Sequence, residues 1–216
     1  MFADVVKTNK ELYPLFQQFL PAYKKINDYT ATFQKKELVD GKWVEETLDF
    51  KFKKPFKVKI KWIAGPKKGQ RAVFVEGDND NKVLIKLGGV FGTIVPKLRL
   101  DPDGELAKDN SNRSIRQAGI GYMLNSIWEV TQQAFKNRDL SLKLIEEDSD
   151  SKLMKIERRV PPNKDYPNVR AVIIIDQSLG IPIGIETYDS KDRLKGSYYY
   201  EELNANINLS DDEFML

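Results

Sequence analysis

Between residues 48 and 63 the sequence reads LDFKFKKPFKVKIKWI, an alternation that leaves few folds open. Leu48, Phe50 and Phe52 are separated by Asp49 and Lys51. Beyond Lys53-Lys54-Pro55, the residues Phe56, Val58, Ile60 and Trp62 are separated by Lys57, Lys59 and Lys61. A period of two sets successive side chains on opposite faces of a pleated strand, so the pattern predicts two amphipathic strands with one apolar face and one cationic face. Pro55 has no N–H to give to a ladder, which predicts a bend or an edge position between them.

The remaining composition narrows the chemistry. The 216 residues contain no cysteine and no histidine, which removes thiolate nucleophiles, disulfides, Ser-His-Asp and Cys-His arrangements, and most zinc and redox-metal sites. No cofactor and no catalytic residue is expected. A lack of cysteine fits an oxidising compartment. With 41% hydrophobic and 11% aromatic residues there is material for a sizeable core, and no linker divides the chain, so one domain over 1–216 is expected. No apolar run reaches the roughly 20 residues of a membrane-spanning helix. Met1-Phe2-Ala3 lacks the charged and apolar regions of a signal peptide. The net charge of +3 is small, but residues 51–71 carry nine lysines and arginines and no acid, whereas the C-terminal tail is acidic.

Taken in order, Thr8-Asn9-Lys10-Glu11 has the form of a capping box, and Leu12, Leu15, Phe16, Phe19, Leu20, Tyr23 and Ile26 follow at helical spacing. Pro14 and Pro21 predict a kinked helix or two short ones. Tyr29, Ala31 and Phe33 then alternate with polar residues, and Asp40-Gly41 predicts a hairpin turn. Strands are expected over 71–76 and 83–87, with a turn at 77–81. Gly88-Gly89-Val90-Phe91-Gly92 loosens the pattern, Asp101-Pro102-Asp103-Gly104 reads as a turn, and 105–114 reads as irregular. A second helix carries Ile120, Met123, Leu124, Ile127, Thr131, Ala134 and Phe135 on one stripe with Trp128 beside it. Gly119 and Gly121 at its start either let the backbone approach a neighbour closely or mark a frayed end. Further strands are expected over 140–145, 153–160, 169–175, 181–188 and 194–201, with an acidic turn at 146–151. Hairpin-length connections predict an antiparallel, α+β protein.

The Tyr29-Thr30-Ala31-Thr32-Phe33-Gln34 strand, the Phe52-Lys53-Lys54-Pro55-Phe56 bend running to Lys61-Trp62, and the close from Tyr200-Glu201-Glu202-Leu203 to Phe214 resemble the bacterial lipoprotein-carrier (Lol-like) superfamily. The middle segment, from Asp101-Pro102-Asp103-Gly104 to Ala118-Gly119-Ile120-Gly121-Tyr122, is more similar to an uncharacterised branch known only as a domain of unknown function. The resemblance implies a curved antiparallel sheet forming an unclosed half-barrel, with helices covering an apolar concave face. It implies a periplasmic, non-enzymatic binding or carrier role for a lipid, an acyl chain or another hydrophobic ligand, with any signal peptide already removed. The polar residue that latches the lid in the carriers matches no position here.

On that reading Phe50, Phe52, Phe56, Val58, Ile60 and Trp62 line the ligand wall, and Ile120, Met123, Leu124 and Ile127 cover it. The plainer alternative is that all ten are ordinary core, in a structural or regulatory envelope module that binds a protein. The lysine row serves either as a solvated face that guards a sheet edge, or as an attraction to an anionic membrane surface or envelope protein. Nucleic acid is disfavoured, because aromatics on one face cannot stack bases while lysines on the other hold phosphates. Asp78-Asn79-Asp80-Asn81 starts like a calcium loop but has Lys82 and Gly89 where ligands are required. Gly88, Gly89 and Gly92 form no dinucleotide fingerprint, and Ser149-Asp150-Ser151-Lys152 falls in a turn and not at a helix start. Glu146 and Glu147 read as solvated turn residues, and a carboxylate-based hydrolase would need a facing pair of acids.

Overall fold

The computed structural model describes residues 9–108, 111–148, 150–162 and 164–216, and for Phe91 the backbone. Thr8 of the expected capping box and Ser149 of the Ser-x-x-Lys match lie outside these residues. Helix α1 (Asn9–Lys24) precedes five strands, β1 (Asp28–Val39), β2 (Lys42–Lys53), β3 (Lys57–Ala64), β4 (Arg71–Val75) and β5 (Val83–Lys86). Then come α2 (Phe91–Ile94), β6 (Leu98–Leu100), α3 (Glu105–Lys108) and α4 (Ile120–Lys136). The chain closes with β7 (Ser141–Asp148), β8 (Leu153–Arg159), β9 (Arg170–Asp176), β10 (Ile181–Tyr188) and β11 (Leu194–Ala205). Short 3-10 helices occupy Asn79–Asn81, Ile115–Gln117 and Asp211–Phe214.

All eleven strands join one sheet in the order β6-β5-β4-β3-β2-β1-β11-β10-β9-β8-β7, so β6 and β7 are free edges and the sheet is not closed. The expected α+β class and unclosed antiparallel barrel are met. The hairpin at Asp40-Gly41 is present with φ of 48° and 75°, the left-handed pair that a tight turn between twisted strands requires. Helix α1 is one element containing both Pro14 and Pro21.

Three local expectations need correction. β7 continues through Asp148, because after a register shift at Leu144 its residues still face β8, Glu146 opposite Lys155 and Asp148 opposite Leu153. Glu146 and Glu147 are therefore strand residues, and Lys155 Nζ donates to Glu146 at 2.7 Å. The segment 105–114 is not wholly irregular, since α3 lies within it. The next short helix starts at Ser114, whose Oγ accepts from the Arg116 N–H at 3.2 Å while its own N–H donates to Gln117 Oε1 at 3.2 Å, a reciprocal cap. Strand β6 escapes a period-two reading because it has only three residues.

The chain forms two compact units, each assembled from two separate segments. The first comprises Met1–Lys25 and Ile120–Ser197. In it α1 and α4 meet each other and β10, and α1 also meets β7. The predicted stripe of α4 is buried at Ile120, Met123, Leu124, Ile127, Thr131 and Ala134, while Phe135 is half exposed and stacks on Tyr13 at 3.9 Å. A Cβ on Gly121 would lie 2.8 Å from Tyr23 Oη, so the glycine admits the tyrosine, whose hydroxyl burial pushes up to about 12.

The second unit comprises Ile26–Gly119 and Tyr198–Leu216. Its strands β1 to β6 turn Tyr29, Phe50, Phe52, Val58, Ile60, Phe74, Val83 and Ile85 into the core. The opposite face differs from the expected open lysine row. Asn27 and Asp28 fasten the end of the chain, the N–H of Asn27 donating to Asn206 Oδ1 at 2.7 Å and the N–H of Ile207 to Asp28 Oδ1 at 2.9 Å. The last 3-10 helix then crosses β3 and β4. Leu209 and Phe214 bury Val73 in a small second core. Asp211 meets Lys53 at 2.8 Å and Lys57 at 2.9 Å, and Glu213 meets Lys51 at 2.5 Å.

Hydrogen bonds from Lys53 and Lys57 hold the Asp211 carboxyl down at about 2. Because that value lies below the unfolded one of about 3.9, the attachment is complete above pH 4 and is lost as pH falls through about 2. An NMR titration should find the Asp211 midpoint near 2, with the amides of 211–214 still protected at pH 4. A midpoint near 4 would contradict the attachment.

Candidate functional site

In the second unit, the register of β2 against β3 sets Phe50 opposite Ile60, Phe52 opposite Val58 and Leu48 opposite Trp62. Five of the six residues expected to form the wall therefore share one face, and Phe56, in the turn between the strands, meets Phe52 edge-on. Phe50, Phe52, Val58 and Ile60 are buried, whereas Phe56 and Trp62 are partly exposed and pack against a cluster of Ala72, Phe74, Val83 and Ile85. The rings run in sequence: Phe33 stacks on Tyr200 at 4.3 Å, Tyr200 meets Phe50 edge-on at 5.5 Å, and Phe50 lies 5.9 Å from Tyr29. Tyr29 lies 5.2 Å from Phe52, Phe52 is 5.7 Å from Phe56, and Phe56 is 5.9 Å from Phe74. Such offset and edge contacts are each worth about 0.5–1.5 kcal/mol beyond area burial.

Gly119 is fitted to this aromatic face. Its N–H donates to Tyr200 Oη at 3.0 Å, its φ is +99°, and a Cβ there would stand 2.9 Å from Tyr29 Oη. The first of the two sequence alternatives, close backbone approach, is the one realised. Gly119→Ala is expected to destabilise by about 1–3 kcal/mol through left-handed strain and that contact, measured by urea unfolding; a change under 0.5 kcal/mol would contradict it.

The same face ends in charge. Continuing the parity of Tyr29, Ala31 and Phe33, β1 also turns Lys35 and Glu37 inward, and Lys35 faces Glu46 across the ladder. Lys35 Nζ sits 2.6 Å from Glu46 Oε2 and 3.3 Å from Glu37 Oε2. Tyr198 Oη donates to Glu37 Oε1 at 2.8 Å, Ser111 Oγ donates to Glu37 Oε2 at 3.2 Å, and Trp62 Nε1 donates to Glu46 Oε1 at 2.9 Å. Burial pushes the Glu37 carboxyl up, but Lys35 together with the Tyr198 and Ser111 hydrogen bonds outweighs it and holds the group below the ordinary carboxylate range. Burial also drives the Tyr198 hydroxyl well above its usual value. Trp62 thus has its ring against the apolar cluster and its polar edge in this network.

In the first unit, Ile120, Met123, Leu124 and Ile127 are all buried on α4. Beneath that helix, β8 presents Met154, Ile156 and Arg158 on alternate positions, all buried. Arg158 is only 1% exposed. Its Nη1 donates to Ile127 O at 3.3 Å and Thr131 Oγ1 at 3.4 Å, while its Nε has no partner. Burial pushes the guanidinium down to about 10. The sequence reading missed Lys35, Glu37, Glu46 and Arg158. The signal was parity, since each continues an apolar alternation at a position where a charge reads as a solvent residue. The ten predicted residues divide six to the second unit and four to the first.

Among the described residues there is no group of three acids, histidines or cysteines able to hold a metal ion, and no helix long and apolar enough to cross a membrane.

Comparison with solved structures finds the same fold in proteins of very different sequence. Lipoprotein LppX of Mycobacterium tuberculosis matches with a TM-score of 0.52 at 15% identity, over 92% of this chain and 98% of that one. MucB of Pseudomonas aeruginosa matches with a TM-score of 0.51 at 13% identity, over 96% of this chain and 63% of MucB. No curated protein sequence matches the chain. A family profile described as "Protein of unknown function (DUF1571)" matches residues 26–216. The resemblance to a branch of unassigned function is borne out by this profile, and the fold that the resemblance implies is the one shared with LppX and MucB.

Proposed function

This chain belongs to the DUF1571 family, whose profile covers residues 26–216, and from that premise we propose that it is a non-enzymatic binding or carrier protein of the bacterial periplasm, holding a lipid, an acyl chain or another hydrophobic ligand. The observation that carries the reading is the run of rings on one face of β2 and β3, from Phe50 to Phe56, ending at the half-buried Trp62. A ligand there would gain roughly 25 cal/mol for each Å² of apolar surface removed from water. Phe50, Phe52, Phe56, Val58, Ile60 and Trp62 of the second unit form the wall in this proposal. These side chains offer apolar contact, their one polar atom, Trp62 Nε1, being already engaged by Glu46, which suits a ligand that is carried and not transformed.

The test is mass spectrometry of organic extracts from the purified protein, together with displacement of a fluorescent fatty acid. A copurifying lipid and saturable displacement, weakened at least tenfold by Phe56→Ala, are expected. No extractable lipid and no saturable binding would defeat the carrier reading.

A second reading, an envelope module that binds a protein, is favoured by a separate feature. Val90, Ile94 and Leu106 are 74%, 75% and 78% exposed on the excursion around α2 and α3, and large apolar side chains left in water mark contact surfaces. MucB, which shares the fold, has been crystallised in complex with MucA(peri). Crosslinking in the native envelope, lost on Ile94→Asp with Leu106→Asp, would support this reading over the first.

A further inference from the structure

The cationic face of the second unit divides into two halves that the fold treats differently. Over one half the acidic end of the chain supplies carboxylates to Lys51, Lys53 and Lys57. Over the other, a cleft of about 300 Å³ is lined by Asp49, Lys51, Lys59, Lys61 and Arg71. The register sets Lys51 opposite Lys59 and Asp49 opposite Lys61 across β2 and β3, and Lys61 opposite Arg71 across β3 and β4. Directly opposed side chains have Cβ atoms about 4.5–5.5 Å apart, and like charges there are destabilising.

Among the described residues, Lys59, Lys61 and Arg71 form no ion pair within 4.0 Å, although Asp49 and Glu213 carry acids nearby. Lys61 and Arg71 are exposed, whereas Lys59 is half buried. Burial, then the charge of Lys51, pushes the Lys59 ammonium below its ordinary value, with Glu213 and Asp49 pulling the other way and Arg71 adding to the depression. With Lys51 engaged by Glu213, the three free cations against Asp49 leave two uncompensated positive charges. A bound phosphate dianion matches that number and a phosphodiester headgroup neutralises one of the two, while three donor side chains lining one cleft suit the oxygens of either.

We infer that the cleft formed by Lys59, Lys61 and Arg71 beside Asp49 is a binding site for an oxyanion of the phosphate class, either free phosphate or the headgroup of an anionic phospholipid. The site lies on the face opposite the aromatic wall, so it stands whether or not a hydrophobic ligand occupies that wall. Its volume suits one headgroup and not an extended polyanion. Glu213 sits at its margin as a competing carboxylate, and its removal is expected to tighten binding by freeing Lys51.

The experiment titrates the full chain, its lysines carrying ¹³C-methyl labels for NMR, with inorganic phosphate in one arm. Flotation with phosphatidylglycerol vesicles against phosphatidylcholine vesicles forms the other arm. Saturable phosphate binding that raises the Lys59 pKa assigns free phosphate. Binding only to phosphatidylglycerol vesicles, with the same lysines shifted, assigns the lipid headgroup. In either arm Lys59→Gln with Arg71→Gln should weaken binding at least tenfold, Glu213→Gln should strengthen it two- to fivefold, and Lys191→Gln, in the turn between β10 and β11, should leave it unchanged. Equal melting temperatures establish that the variants fold. Absence of saturation in both arms, or an equal loss in Lys191→Gln, overturns the inference.

Discussion

Lys35→Met is expected to lower stability by about 3–5 kcal/mol at pH 7, the loss typical of removing one partner from a buried charge cluster. Lys35 stands 2.6 Å from one carboxylate and 3.3 Å from another, and the side chains of Glu46 and Glu37 are 1% and 0% exposed. Glu46 Oε2 has no hydrogen bond of good geometry and depends on the charge of Lys35. Without it, two buried carboxylates remain with neutral donors, the Tyr198 and Ser111 hydroxyls and the Asn112 N–H on Glu37 and the Trp62 indole on Glu46. The pH dependence follows from the sign of the shift. In the native protein the Glu37 carboxyl lies below its ordinary value, so its favourable contribution is present at neutral pH and fades as acid protonates it. In the variant, burial is no longer outweighed and the carboxyl moves up, so its unfavourable contribution is likewise greatest at neutral pH. Urea unfolding at pH 7 and pH 4 should therefore show a large difference at the first and a smaller one at the second. Adding Glu46→Gln to Lys35→Met should recover part of the loss. An equal deficit at both pH values would refute the account.

Arg158→Met is expected to act in the opposite direction and raise stability by about 1–3 kcal/mol. A guanidinium held near 10 instead of 12.5 corresponds to about 3 kcal/mol of unfavourable burial at neutral pH. Its two hydrogen bonds, at 3.3 and 3.4 Å, are long and return only part of that, about 0.5–1.5 kcal/mol each. No carboxylate lies within 4.0 Å of it among the described residues, and its Nε is unsatisfied. Methionine fills most of the same space without the charge. Because the folded value is depressed, native stability should recover as pH rises through about 10, and the advantage of the variant should shrink over the same range. Chemical unfolding at pH 8 and pH 10.5 reads both effects. A variant less stable than the native protein would mean that the hold of Arg158 on the Ile127 carbonyl outweighs its desolvation.

These two clusters also mark where the sequence stops being readable. Alternation identified the apolar face of β2 and β3, and helical spacing identified the buried stripe of α4 from Ile120 to Ala134, because a solvent boundary imposes both periods directly. The same alternation continues through Lys35, Glu37 and Arg158. Residue type there argues for solvent, and only long-range partners such as Tyr198 and Ser111 make burial tolerable. The attachment of Asp211 and Glu213 to lysines some 160 residues earlier was invisible for the same reason. Charge opposition between an acidic tail and a basic strand pair was legible, but nothing local fixed which residues meet. The line-up of wall residues on one face was legible, whereas the polar end of that face was not.

Each compact unit is stitched from pieces that the chain writes far apart, Met1–Lys25 with Ile120–Ser197 and Ile26–Gly119 with Tyr198–Leu216. On the ribosome this imposes a schedule. Helix α1 emerges early, yet its partners α4, β7 and β10 follow more than a hundred residues later, so its apolar stripe of Leu12, Phe16 and Phe19 must wait in the nascent chain. The β1–β2 hairpin has no such delay and can form as soon as its turn appears. Tyr198, Tyr200 and the segment that covers Val73 are made after the whole of the first unit, so the second unit closes only once the first has been synthesised. Neither unit can be produced by one cut of the gene, and an expression fragment of either needs a circular permutation or a coexpressed complement.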